Sequence, residues 1–297
     1  MHDDQLLVEV AVVRQLISDQ FPQWSDMCVR AMPTAATVNA IFLIGDELAA
    51  RFPLRPADPV TMRQLLLLEA VAAHEFATVS PVPSPRPVAL GTPGRGYPLP
   101  WSVQSWLPGR DAIGDDPGGS QAFAEDLSDL LVCLRNVDTR GRSFSAEGRG
   151  GHLRDHDDWM ALCFDRSQGL VDVPKLRAMW ARLRDLPEVD HDVMCHGDLT
   201  PPNVLVDAGH LVGVLDVGGF AAADPALDLV SAWHLLDAGP RETLRRTLRC
   251  SDVQWERGMA WALQQSMGLV WYYATTNPVM SQWGKRTLNR LLAALDM

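Results

Sequence analysis

The spacing of apolar and polar positions sets the first expectations. Across residues 38–52 apolar positions flank Gly45-Asp46. That dipeptide suits a tight turn, because glycine supplies backbone angles that other residues avoid, so the stretch predicts a hairpin with Arg51 near the end of its second strand. Asp58-Pro59 follows, a capping carboxylate and then proline at the first helical position, where no N–H is required. Met62, Leu66, Glu69, Ala73 and Phe76 then recur at helical spacing, with Glu69 inside the apolar seam.

Residues 80–100 are rich in Pro and Gly and predict loops around one strand near 88–90; residues 101–107 read as extended and stop at Pro108-Gly109. Beyond that point helices dominate. Apolar residues at 123, 127, 130, 131 and 134 predict a helix within 120–137, and 173–186 has a similar period, with 141–151 between them as a loop. Val204-Leu205-Val206 and 211–215 enclose Asp207-Ala208-Gly209-His210, a second hairpin, and helices are expected over 253–275 and 282–296. A strand-rich first third followed by a helix-rich remainder predicts an α+β architecture. The expected division is a lobe of residues 1–107, with a small antiparallel sheet and one helix, and a larger helical lobe of residues 108–297.

Composition narrows the class of partner. The 297 residues suffice for two cores, and 47% apolar with 21% charged residues describes a folding globular chain. A net charge of -11 argues against a nucleic-acid partner, which clustered Lys and Arg would bind, and none is expected. Cys28, Cys133, Cys163, Cys195 and Cys250 never fall in C-x-x-C spacing, which argues against a disulfide framework or a zinc site. The acidic start Met1-His2-Asp3-Asp4 is unlike a secretory signal. No apolar run approaches the roughly 20 residues of a membrane span. No membrane partner and a cytoplasmic location are therefore expected.

One stretch carries chemistry. Cys195-His196-Gly197-Asp198-Leu199-Thr200-Pro201-Pro202-Asn203 precedes the second hairpin, and Leu215-Asp216-Val217-Gly218 follows it, so Asp198, Asn203 and Asp216 are separated by 5 and then 13 residues. Phosphoryl transfer needs a carboxylate to orient the attacking hydroxyl and take its proton, and oxygen ligands that hold magnesium against the phosphates. A loop bearing Asp and Asn, with a hairpin that returns the chain to a second Asp, meets these needs at one place. Asp198 is the expected catalytic carboxylate, and Asn203 and Asp216 the expected ligands of Mg²⁺.

This region resembles the catalytic segment of the aminoglycoside phosphotransferase family, kinase-like enzymes that phosphorylate small molecules. The resemblance rests on His-Gly-Asp, on Asn five residues later, on Asp after the hairpin, and on Asp224-Pro225-Ala226-Leu227-Asp228. It implies a two-lobed protein-kinase-like fold, a small antiparallel-sheet N-lobe with a larger, mainly helical C-lobe. It also implies ATP or GTP as donor, and His196 and Asp228 as supports of the catalytic loop. Thr200 stands where the family often has His, and Pro202 where Gly is frequent.

The nucleotide side departs further. The only lysines are Lys175 and Lys285, whereas kinases place a lysine on an early strand to meet phosphates and a helix glutamate. Arg51 is the expected substitute, since a guanidinium binds phosphate through a planar fork, and Glu69 its partner, because a charge in an apolar seam needs compensation. No G-x-G-x-x-G is present; by resemblance Pro33-Thr34-Ala35-Ala36-Thr37-Val38-Asn39 covers the phosphates, with Thr37 contributing, and 104–107, including Gln104 and Trp106, forms the hinge at the base.

For the acceptor, Asp155, Asp157 and Asp158 in the second lobe, with Glu256, Trp271 and Tyr272 on late helices, suit a cationic small molecule through charge and aromatic faces. The leading reading is an antibiotic-directed kinase acting on an aminoglycoside-type hydroxyl. A kinase for another alcohol (a macrolide, an amino alcohol or a sugar derivative) and a catalytically dead binding protein are the alternatives.

Overall fold

The computed structural model describes residues 5–32, 38–145, 149–188 and 191–295. The chain divides into two compact units, Met1–Thr78 with Ser84–Pro108, and Val79–Pro83 with Gly109–Met297.

The first unit begins with α1 (Val10–Gln20), followed by β1 (Val29–Ala31), β2 (Asn39–Ile44) and β3 (Leu48–Pro53). Then come α2 (Pro59–Val79), β4 (Pro87–Gly91) and β5 (Trp101–Ser105). The strands form one antiparallel sheet in the order β1-β2-β3-β5-β4. The hairpin turn is where Gly45 predicts it, at φ +60. Phe52 stacks on Trp101 with ring centroids 4.7 Å apart, and Tyr97 meets Phe52 edge-on. A Cβ at Gly91 would come within 2.1 Å of the Trp101 indole, so glycine lets that ring lie on β4.

Asp58 caps α2, accepting from Thr61 N at 2.8 Å and from Thr61 Oγ1 at 2.9 Å, and the helix buries Leu66, Ala73 and Phe76. The expectation of one helix in this region is corrected. α1 also forms, and packs Val13, Leu16 and Ile17 into the cluster that holds Val29, Phe42 and Ile44. Its valines are β-branched and weaken the helical signal; burial of one face against the sheet outweighs that preference.

The second unit opens with the short β6 (Arg110–Asp111), then α3 (Gln121–Arg135), α4 (Asp157–Arg166) and α5 (Val173–Leu183). β7 (Val193–Cys195), β8 (Val204–Asp207), β9 (His210–Val214) and β10 (Ala221–Ala223) follow. The chain ends in α6 (Val230–Leu235), α7 (Ala238–Leu248), α8 (Asp252–Tyr272) and α9 (Pro278–Ala293). β6, β8 and β9 make one antiparallel sheet and β7 with β10 another. Ser120 caps α3 by accepting from Phe123 N, and its hydroxyl donates to Gly209 O at 2.6 Å, which ties the helix to the β8–β9 turn. α9 starts earlier than expected, because Asn277 caps it and Pro278 occupies its first position. No helix among the described residues is long and apolar enough to cross a membrane.

Candidate active site

The site is a loop held from three sides. β7 carries the chain to His196, and the carboxylate of Asp228 accepts two successive amides, His196 N at 2.9 Å and Gly197 N at 2.7 Å. Gly197 has φ +78, a left-handed conformation that glycine adopts without strain. Asp228 is 2% exposed. Burial pushes its carboxyl above the usual carboxylate range, while the nearby His196 ring, the Gly197 and His196 amides and Arg135 oppose that rise.

His196 is fixed at both ring nitrogens. Asp198 N donates to its Nδ1 at 3.1 Å, so Nε2 carries the proton and donates to Leu215 O at 2.9 Å. That second bond joins the loop to the residue before Asp216. Leu215 N also donates to Asn203 O at 2.8 Å, and Val204 pairs with Val214 across β8 and β9. The hairpin thus brings Asn203 and Asp216 to one end of the same ladder.

At the centre, Asp198 is cradled by its own loop. Asn203 Nδ2 donates to Asp198 Oδ2 and to Asp198 O, both at 3.0 Å, and Thr200 Oγ1 donates to Oδ1 at 3.3 Å. Its amide nitrogen is thereby engaged within the loop. Asp216 adopts φ 55 and ψ 44, left-handed and uncommon for a residue with a side chain. Arg149 donates to Asp198 Oδ1. Desolvation lowers the pKa of Arg149 and the charge of Asp216 counters that effect, so one guanidinium senses both carboxylates.

A buried ion pair stabilises the far side of the loop. Arg257 Nε and Nη2 donate to Asp224 Oδ2 at 2.8 Å and 2.5 Å, with the side chains 3% and 9% exposed. Arg257 Nη1 also donates to Pro187 O at 3.1 Å, and Asp224 Oδ1 accepts from Ala226 N at 2.8 Å. Neither Arg149 nor Arg257 was legible as a partner, since each meets its aspartate over a long sequence separation and nothing local marks it.

The other sequence-derived residues are distributed more widely. In the first unit, Arg51 lies half-buried on β3 opposite Ile41 and Ser102, and Glu69 lies half-buried on α2. Gln104 pairs with Ala49 across β3 and β5, and Trp106 N donates to Glu47 O at 2.7 Å. Thr37 lies outside the described residues.

In the second unit the expected acidic face is smaller than its sequence. Asp157 accepts from Trp180 Nε1 at 2.8 Å and from Arg184 at 2.5 Å, and Glu256 pairs with Arg182 at 2.5 Å. Asp155 and Asp158 are the exposed members of the cluster. Trp271 donates its indole N–H to Cys163 Sγ at 3.3 Å and stands 6.1 Å from the Trp159 ring, with Tyr272 against it at 5.7 Å.

Comparisons with known proteins give the fold and the family. The structure has the kinase-like fold of APH(2'')-IIIa, solved with GDP and kanamycin, with a TM-score of 0.68 at 16% identity over 95% of this chain and 98% of that one. A macrolide 2'-phosphotransferase from Brachybacterium faecium superposes with a TM-score of 0.60 at 17% identity, over 94% of this chain and 97% of that one. The family model for the phosphotransferase enzyme family matches residues 36–261, and the chain belongs to that family. An aminoglycoside 3'-phosphotransferase of Streptomyces fradiae is 44% identical over 176 residues, 52% of this chain and 59% of the relative. The chain spans between half and three-fifths of the length of the curated relatives it matches.

Proposed function

We propose that this chain transfers the terminal phosphoryl group of ATP or GTP to a hydroxyl of a small molecule, with aminoglycoside-type antibiotics as the first class of acceptor. The observation that carries the reading is the cradle of Asp198: a carboxylate oriented by Asn203 and Thr200, on a loop whose hairpin returns Asp216 beside it.

Asp198 aligns the acceptor O–H and takes its proton as the oxygen forms a bond to the γ-phosphorus. The bond from that phosphorus to the β–γ bridging oxygen breaks, and the nucleoside diphosphate leaves with the electron pair. The residues fit magnesium: an amide oxygen on Asn203 and a carboxylate on Asp216 are hard donors, and Arg149, which donates to Asp198 and feels the charge of Asp216, supports a positively charged partner for the pair. Such an ion uses few protein ligands beside the substrate's own phosphates. When bound, magnesium offsets the charge of the phosphates. Asp228 and His196 hold the loop in register, and Arg51, partnered by Glu69, is assigned to the phosphates.

A macrolide, whose amino sugar brings one ammonium where an aminoglycoside brings several, is the second acceptor class, favoured by a specific observation: Asp157 and Glu256, two of the carboxylates expected to draw a polycation, are already paired with arginines. The chain is to be incubated with magnesium, ATP or GTP, and a panel of aminoglycosides, macrolides and simple amino alcohols, with mass detection of an added phosphate. Phosphorylated aminoglycoside supports the first reading, and phosphorylated macrolide alone supports the second. No phosphorylated product and no triphosphate hydrolysis would refute enzymatic function.

A further inference from the structure

Arg149 is a cation that the second unit itself brings to the Asp198 loop. Its Nη1 donates to Asp198 Oδ1, where Thr200 Oγ1 also donates at 3.3 Å. The other oxygen, Oδ2, accepts from Asn203 Nδ2 at 3.0 Å. Each carboxylate oxygen has room for two such bonds, so Oδ1 is filled and Oδ2 keeps one place for the O–H of an acceptor. Arg149 can therefore stay on Asp198 while the hydroxyl is aligned beside it.

The backbone that follows is shaped to present this side chain. Gly150 and Gly151 have φ of +133 and +84, and a Cβ at Gly150 would come within 2.9 Å of the Phe144 ring. The turn is anchored on both sides: His156 Nε2 donates to Gly150 O at 3.3 Å, and Phe144 N donates to Asp192 Oδ2 at 2.7 Å. The Arg149 side chain itself is 51% exposed. Among the described residues its guanidinium bonds to Asp198, and an arginine carries five N–H donors in a planar fork, so donors remain for a ligand that meets the same carboxylate.

The charge of Asp216 acts on the same guanidinium. Attack on the γ-phosphorus brings the acceptor oxygen within about 3–3.5 Å of it. A group bonded to the carboxylate that aligns this oxygen, and drawn to the carboxylate expected to face the nucleotide's metal, lies alongside the phosphoryl as it passes between them. On the transferase reading, we propose that Arg149 is a further catalytic residue, whose remaining N–H groups bond the equatorial oxygens of the transferring γ-phosphoryl and stabilise the charge on them. A guanidinium fork matches two phosphate oxygens. Two carboxylates and a triphosphate gather negative charge, which an arginine offsets as arginines do in other phosphoryl-transfer enzymes. The covalent bonds made and broken are those of the proposed transfer; Arg149 donates hydrogen bonds and keeps its protons.

The test uses the full chain and two readouts. The first is calorimetric binding of ADP and of GDP with magnesium, with and without aluminium fluoride as a stand-in for the transferring phosphoryl. The wild type is expected to hold its preferred diphosphate about 10²-fold tighter with the fluoride, the low end for transition-state mimics. Arg149→Met is expected to lose about 10-fold or more of that gain, the range for hydrogen bonds to a charged group, with affinity for the diphosphate alone close to wild type. The second readout is transfer to an acceptor found in the panel, where kcat of Arg149→Met is expected to fall roughly 10³-fold. Arg149→Lys is expected to recover part of both losses, because it restores charge without the fork. No fluoride gain in the wild type, an equal gain in Arg149→Met, or an unchanged kcat would overturn the proposal and leave the transferase reading in place. So would a higher kcat with a lower magnesium requirement, the mark of a plug that must leave the site. A wild-type chain that binds neither diphosphate and phosphorylates nothing would remove both. Should Arg149→Met fail to fold, as judged by circular dichroism, Arg149→Lys decides: wild-type kcat and fluoride gain in that variant would overturn the proposal.

Discussion

The side-chain amide of Asn203 donates through Nδ2 to Oδ2 of Asp198 at 3.0 Å. One residue thus orients the carboxylate expected to take the acceptor's proton, while its remaining oxygen is the atom proposed to meet a cation. Asn203→Asp replaces that donor with a second carboxylate, and like charges at this distance raise the pKa of the pair. The acidic limb of the pH–rate profile is expected to move to higher pH, with lower turnover at neutral pH. Asn203→Ala is expected to raise the magnesium requirement while leaving that limb near its wild-type position. A pH–rate series with a magnesium titration distinguishes the two effects.

Asp228 holds the same loop from a buried position. Its two oxygens receive His196 N and Gly197 N, and in Asp228→Asn the side-chain NH₂ must face one of those amides, donor against donor. Small displacements at a reacting centre reduce rate on the order of 10²-fold, so kcat is expected to fall by about that factor while the KM for nucleotide changes little. A variant with wild-type kcat would remove the brace from the mechanism.

Arg51 carries the expectation for the first unit, where no lysine is available. Arg51→Ala is expected to raise the KM for ATP or GTP, and Arg51→Lys to recover part of the loss, because lysine restores charge without the planar fork. Glu69→Gln should show a weaker form of the same defect. Measured triphosphate affinity decides: unchanged values in Arg51→Ala would exclude it from phosphate binding.

Much of the architecture was legible because local signals and tertiary burial agree. Gly45 marks its hairpin, Asp58 and Pro59 start α2, and positions 123, 127, 130, 131 and 134 of α3 are all buried. α1 was not legible, since its valines favour strands and its buried stripe of Val13, Leu16 and Ile17 exists only against the sheet. The candidate site divides in the same way. Asp198, Asn203 and Asp216 follow from spacing, because a hairpin fixes how far the chain travels before it returns. Arg149 at Asp198 and Arg257 at Asp224 depend on long-range folding. Asp157 looked like part of an acidic face because its sequence neighbours are acidic, whereas its actual neighbours are Trp180 and Arg184.

His234 provides a test of the helical core. The ring is buried, accepts from Trp283 Nε1 at 3.0 Å and contacts Gln265 Oε1 through Nε2 at 3.1 Å. Burial, first among the causes, lowers its pKa to about 3. Between the ordinary histidine value of about 6.5 and that folded value, the unfolded chain binds a proton that the folded chain does not. Stability is therefore present above about pH 6.5 and is lost as pH falls toward the folded pKa, at up to roughly 1.4 kcal/mol per pH unit from this group. Melting curves between pH 4 and 7 are expected to show a shallower pH dependence in His234→Gln than in the wild type, whatever the substitution does to stability at pH 7.

Asp198 is the residue on which phosphoryl transfer is proposed to depend most. The most direct measurement is the steady-state rate of phosphoryl transfer by Asp198→Ala with its authentic acceptor, beside nucleotide affinity and a magnesium titration on the same protein and on Asp216→Ala. Turnover of Asp198→Ala is expected to fall roughly 10²- to 10⁴-fold, the contribution of a positioned general base, with nucleotide affinity and magnesium requirement close to wild type. Asp216→Ala is expected to raise that magnesium requirement as well as lower the rate. Near wild-type turnover by Asp198→Ala would contradict the central claim.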